Sequence, residues 1–210
     1  MATDEEKFLK AIKKLREDKQ NKNFVQTVDL IVNLKNFDVR REAFNIFIQL
    51  PNQIKEKRIA GFFEKDSKLI DTIKKEDFPR YKEKKDSRKL VKKYDFFIAN
   101  AKLMPLIATS FGRVLGPVGK MPSPQLGIVP NEEEAVIKAV KEKINSNVRV
   151  RVKQPSIKVP VGKENLTDEQ LLRNALAVFN KLVETLPKKR DNVKNIKIKL
   201  TMNKPVNIEL

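Results

Sequence analysis

Phe111 to Pro130 reads FGRVLGPVGKMPSPQLGIVP and holds four of the chain's six glycines (Gly112, Gly116, Gly119, Gly127). It also holds four of the eleven prolines: Pro117, Pro122, Pro124 and Pro130. A glycine beside a lysine, as in Gly119-Lys120, invites phosphate chemistry, in which backbone N–H groups cradle an anion and the ammonium neutralises it. The spacing refuses that reading. Five residues before Gly119 stands Val114 where a phosphate loop requires glycine, and Met121 after Lys120 has no hydroxyl for magnesium. No GxGxxG dinucleotide fingerprint occurs either. What remains is a stiff exposed loop, with glycine allowing positive φ and proline fixing its neighbours. Arg113 and Lys120 on such a loop are placed to read the shape of an RNA backbone.

The rest of the composition points the same way. The 210 residues contain no Cys, which excludes disulfides, thiolate metal sites and cysteine nucleophiles. They contain no His, the commonest general base and metal ligand. No catalytic residue, metal or cofactor is assigned. Forty-five Lys and Arg stand against 27 Asp and Glu, a formal net charge of +18. Residues 1–52 carry net +2, while 53–144 and 145–210 carry +8 each, so the excess belongs to the folded parts. Such a charge steers association with phosphates and supplies non-specific affinity for them. No basic helix carries the bulky aromatic anchors of a membrane-surface binder, and the acidic N-terminus lacks a signal peptide's pattern. The chain is poorly equipped as an enzyme and well equipped to bind a polyanion.

The elements that must position these groups follow from periodicity. Thr3 and Glu6 have capping-box spacing, and Phe8, Ala11, Ile12 and Leu15 form one stripe of a helix from Asp4 to Lys19. Phe24 to Leu34 and Ala43 to Leu50 alternate as strands. Between 57 and 144 strands (Arg58–Phe63, Tyr94–Ala99) alternate with helical patterns at Ser67–Lys75, Asp86–Lys93, Lys102–Leu115 and Glu132–Ile144, which suggests a parallel α/β unit. The lysine-rich stretch Lys82–Lys93 reads as a solvated helix surface. Strands return at Val148–Lys153 and Ser156–Val161. Thr167 and Gln170 then cap a helix ending near Pro187, and Asn195–Thr201 places Lys197, Lys199 and Thr201 on one face. The first and last segments each look incomplete alone, so a domain built from both chain ends around an insertion satisfies both.

Leu115 to Pro124, LGPVGKMPSP, resembles the LGPRGxMPxP signature of the ribosomal protein L-one family of the large subunit's mobile side stalk. Asn23 to Leu30 resembles that family's early KFxxTVEL strand, and Thr201 to Pro205 its late TMGKP segment, in the same order along the chain. PVGK at Pro160–Lys163 and Leu50-Pro51 agree as well. The chain looks more similar to archaeal and eukaryotic members than to bacterial ones. The resemblance implies an α/β fold of two domains. One is a discontinuous rRNA-binding domain of residues 1–52 and 145–210; the other is an inserted Rossmann-like domain of 53–144.

It further implies a non-enzymatic, cytoplasmic, ribosome-bound protein, monomeric off the ribosome and without membrane attachment. Its partners would be large-subunit rRNA, exit-site tRNA, other ribosomal components and its own mRNA, whose translation such proteins repress. Carried over by position, Phe24, Thr27 and Asp29 from the early strand and Thr201, Met202 and Asn203 from the late turn face RNA. Thr27 and Asp29 lie on the polar parity, and an Asp can accept from a ribose 2′-hydroxyl. Phe24 and Met202 fall on the parity that normally enters a core. Lys197 and Lys199 share the face of Thr201, and Lys22 and Lys204 are added as phosphate contacts. The resemblance marks Gly116, Pro117, Gly119, Lys120, Met121 and Pro122 as the inserted domain's signature loop. Two departures stand out. Asn203 replaces the family's glycine, which asks whether the turn needs positive φ, and Val118 replaces an arginine. Two other readings are a nucleotide-dependent enzyme in the inserted domain and a non-specific basic nucleic-acid chaperone.

Overall fold

The computed structural model describes residues 4–17, 23–81 and 83–209; Thr3, Lys19, Lys22 and Lys82 lie outside the described residues. In chain order the elements are α1 (Asp4–Glu17), β1 (Thr27–Leu34), α2 (Val39–Glu42), β2 (Asn45–Gln49), β3 (Ile59–Phe62) and β4 (Asp71–Ile73). Then come α3 (Lys84–Lys93), β5 (Phe96–Asn100), α4 (Met104–Val118), β6 (Ile128–Val129), α5 (Glu134–Ser146) and β7 (Asn147–Arg151). β8 (Ser156–Lys163), α6 (Asp168–Thr185), β9 (Val193–Leu200) and β10 (Val206–Ile208) complete a mixed α/β fold. The chain divides into two compact units, Met1–Lys55 with Ser146–Leu210, and Glu56–Asn145.

In the first unit an antiparallel sheet runs in the order β10-β9-β1-β8. Period-two alternation sends one face of β1 inward: Leu30 lies opposite Val159 and Ile198, and Val32 opposite Ile157 and Ile196. All six are buried. α1 and α6 cover that face. The α1 stripe Phe8, Ala11, Ile12 and Leu15 meets the α6 stripe Leu171, Ala175, Phe179 and Leu182, and the Phe8 and Phe179 rings sit 5.7 Å apart. The α6 capping box is formed as its sequence spacing indicates: Thr167 accepts from the Gln170 N–H and Gln170 accepts from the Thr167 N–H. β2 and β7 pair as a separate antiparallel ribbon.

In the second unit four parallel strands run in the order β4-β3-β5-β6. Strands buried on both faces carry continuous apolar runs, as IAGF of β3 and FFIAN of β5 do. Phe62 is fully buried, and its ring lies 5.9, 5.5 and 5.2 Å from those of Phe78, Phe97 and Phe111.

Two sequence expectations fail here. Ser67–Lys75 is not helical; the Ser67 and Leu69 N–H groups donate to Thr72 Oγ1 and Ser67 Oγ, and these local bonds replace helical ones before β4. The helix expected over Lys102–Leu115 runs on into the glycine–proline segment, which is not a loop until after Val118. α4 continues through Gly112, Gly116 and Pro117, because Ile107, Phe111 and Leu115 keep a buried i, i+4, i+8 row. A Cβ added at Gly112 or Gly116 would meet nothing within 4 Å, so neither glycine serves close packing. Positive φ is needed at Gly119, whose φ of 76° ends the helix in the left-handed region.

Candidate nucleic-acid interface

The face of the antiparallel sheet turned away from α1 and α6 is built by the other parity of each strand. β1 contributes Thr27, Asp29, Ile31 and Asn33; opposite them lie Lys199, Lys197 and Asn195 of β9, and Pro160, Lys158 and Ser156 of β8. Lys158 is exposed, and Lys197 and Lys199 are half-buried. Ser156 donates to Asn33 Oδ1 at 2.7 Å, and Asn33 Nδ2 donates to Asn195 Oδ1 at 2.6 Å, a polar rung across three strands. Ammonium groups on a hydrogen-bonded platform suit phosphate and ribose.

At one end of this face the two recognised segments are joined. The Thr27 N–H donates to Thr201 Oγ1 at 3.1 Å, and the Thr201 hydroxyl donates back to the Thr27 carbonyl at 3.3 Å. The Met202 N–H donates to Gln26 Oε1 at 3.0 Å, and the Gln26 N–H to Glu164 Oε2 at 3.2 Å. Gln26, 0% exposed, therefore fastens the early strand to the late turn. Beside it Phe24, Val25 and Met202 are 50%, 45% and 59% exposed. The strand parity that sends Phe24 and Met202 inward does not reach them, since β1 begins at Thr27 and β9 ends at Leu200. Three of the five large hydrophobic residues exposed among the described residues belong to these two segments.

Other expectations are corrected. Asp29 is 8% exposed, with its carboxylate 3.0 Å from Lys158 Nζ. It holds that lysine on the face. Asn203 is buried, its N–H donates to the Leu200 carbonyl, and its φ is not positive. The turn therefore has no conformational need for the family's glycine. Lys204 is exposed; Lys22 lies outside the described residues. Gln26, Val25, Lys158 and the Ser156–Asn33–Asn195 rung were missed. The alternation Ile157-Lys158-Val159 was the available signal for Lys158, whereas nothing local distinguishes a buried Gln26.

The signature segment of the second unit is structural. Gly116 and Pro117 form the last turn of α4, Gly119 caps it, Met121 packs against the core and Pro122 is buried. Lys120 does not project from an exposed loop: Nζ donates to the carbonyls of Val91 and Tyr94, both at 2.7 Å, at the C-terminal end of α3. An ammonium there satisfies carbonyls that a helix end leaves without partners. Lys120→Met should lower the urea midpoint of this unit by the equivalent of about 1.5–3 kcal/mol, the range for hydrogen bonds to a charged group. RNA affinity should be unchanged.

The crevice a nucleotide would use is also filled. In open parallel sheets ligands bind at the carboxyl ends of the strands where strand order reverses, here between β3 and β5. Glu132 occupies it. Its carboxylate accepts from the N–H groups of Glu64 (3.0 Å) and Lys65 (3.0 Å) after β3, and from Asn100 Nδ2 (2.6 Å) at the end of β5. Burial pushes its pKa upward, but these hydrogen bonds outweigh it and hold the group below the ordinary 4.5. The Glu132 contribution to stability is thus complete above the unfolded-state pKa and is lost as pH falls through the lower folded-state value. Glu132→Gln should flatten the acid limb of the pH–stability curve, measured by urea midpoints from pH 7 to pH 3.

Fold and surface together define a two-unit α/β protein with a lysine-faced antiparallel sheet and an exposed apolar pair at the junction of its chain ends. A model of the ribosomal protein L1p/L10e family matches residues 12–204. Over the full length of both chains, the sequence is 38% identical to the large ribosomal subunit protein uL1 of Thermococcus kodakarensis. The protein of the same name from Nanoarchaeum equitans is 36% identical over 94% of this chain and 97% of its own. That from Pyrococcus horikoshii is 35% identical over 100% and 98%. The chain belongs to the ribosomal protein L1p/L10e family.

Proposed function

We propose that this chain is a non-enzymatic constituent of the large ribosomal subunit. It grips a large-subunit rRNA stem-loop to form the mobile side stalk, follows exit-site tRNA, and represses translation of its own mRNA through the same surface. Its place is the cytoplasmic ribosome, and off it the chain is a monomer. Family membership supports the first statement. The observation that carries RNA binding is the junction at Thr27 and Thr201, where exposed Phe24 and Met202 adjoin the lysine face. Phe24 and Met202 supply faces for base or ribose contact, Thr27 and Thr201 set the spacing of the two segments, and Lys158, Lys197, Lys199 and Lys204 pair with phosphates. Residues 1–55 with 146–210 carry this binding; the second unit acts as a body moved with the stalk.

A salt-matched competition titration tests the reading. Labelled stalk stem-loop is challenged with an unrelated structured RNA of equal length, using wild type and Thr201→Val. The stalk RNA should win by orders of magnitude, and the variant, without the hydroxyl joining the two segments, should lose that preference. Equal competition by all RNAs would assign the binding to net charge alone and return the protein to the class of basic chaperones.

A further inference from the structure

At the strand-order reversal of the second unit, three donors from two strand ends converge on a single carboxylate contributed by the segment before α5. We infer that this crevice is an oxyanion-binding site whose resident ligand is the chain's own Glu132, and that removing this side chain leaves a site for a free carboxylate or phosphate-like anion.

The donors have an anion site's composition. Two successive backbone N–H groups, Glu64 and Lys65, point at one place, and such pairs form anion-binding concavities. Asn100 is buried, its Nδ2 donates to Glu132, and its own Oδ1 accepts from the Lys102 N–H, which fixes the amide orientation. Asn100 ends the buried strand β5, and Glu64 and Lys65 lie in the bend two and three residues beyond the end of the buried strand β3. Glu132 reaches them from outside the sheet, just ahead of α5. It is therefore the separable partner, and its carboxylate is the chemical stand-in for a bound anion. Occupation by a tethered anion also explains why a Rossmann-like sheet in a strongly basic chain need bind no nucleotide: any incoming phosphate competes with a carboxylate already held in place.

The test uses the full chain as wild type, Glu132→Ala and Glu132→Gln, with sodium formate as the probe at constant ionic strength and neutral pH. The readout is the amide resonances of Glu64 and Lys65. In Glu132→Ala both should move saturably with formate, and the unfolding temperature should rise with it. In wild type and Glu132→Gln, where a side chain still fills the space, neither should respond. Inorganic phosphate in place of formate reports whether the opened crevice takes a tetrahedral anion as well as a planar one; either anion acting at these amides supports the inference. A folded Glu132→Ala whose two amides ignore both anions overturns it. If the alanine variant does not fold, wild type still decides: the Glu64 and Lys65 amides must titrate together with Glu132 as pH is lowered, and two amides that do not follow it overturn the assignment.

Discussion

Phe24→Ala combined with Met202→Ala should weaken stalk-RNA binding by roughly 10–100-fold while leaving the unfolding midpoint where it is. Alanine substitution of a side chain that stacks on a base costs about 1–3 kcal/mol, and one such contact at the middle of that range already accounts for tens-fold. Folding should not suffer, because half or more of each side chain is exposed and neither joins the core. The parallel loss for unrelated RNA should be small, since these side chains carry no charge and leave Lys158, Lys197 and Lys199 in place. Filter binding at two salt concentrations, together with a urea curve, separates the outcomes. A lowered urea midpoint would place both residues in the fold; an unchanged stalk-RNA affinity would remove them from the interface.

Phe62→Ala is expected to have the opposite signature. The ring is fully buried and touches three others, so truncation leaves a cavity between β3, β5 and α4 and costs about 3–5 kcal/mol. Against a domain stability of about 5–15 kcal/mol, that is a large fraction. The chain supplies its own reporter: it has two tyrosines and no tryptophan, and both Tyr81 and Tyr94 pack against the core of the second unit. Tyrosine fluorescence in urea should therefore show this unit melting early. Affinity for the stalk RNA, which the proposed function assigns to the other unit, should change by less than about twofold, within the ordinary scatter of a distant substitution. Loss of RNA binding together with the tyrosine transition would show that the two units do not divide the work.

Much of the α/β character was legible because it rests on local signals that tertiary packing did not oppose. The strict alternation of Ile196, Ile198 and Leu200 against Lys197 and Lys199, and the Thr167–Gln170 cap, belong to that kind. Segments ruled by a competing local bond or by burial were not legible. Ser67 to Lys75 has helical spacing, yet side-chain hydroxyls turn the backbone first. The helical pattern of Lys102–Leu115 was legible, but its continuation through Gly116, Pro117 and Val118 was hidden by the loop composition of that stretch. At the proposed interface, parity correctly placed Lys197 and Lys199 but misled at both ends. It counted Phe24 and Met202 inward, where no strand exists to enforce it; Asp29 it placed correctly on the outer face, where it pairs with Lys158. Recognition of the motifs named Phe24 and Met202 against the pattern; exposure gives that choice a physical reason.

The position of β1 between β8 and β9 has a consequence for synthesis. Leu30 pairs with Val159 and Ile198, so an inner strand of that sheet is made long before either neighbour. At about 5–20 residues per second, tens of seconds or so separate the emergence of β1 from that of β9. Until β8 is made, the intervening second unit can complete its own parallel sheet while Val28, Leu30 and Val32 wait with both edges unsatisfied; β8 then covers one edge and the other waits for β9. Such an edge invites pairing with other chains. A nascent polypeptide stalled between residues 146 and 156 would leave both edges of β1 open, and Asp29 and Asn33, spaced among those apolar residues, stand against mispairing until β8 and β9 arrive.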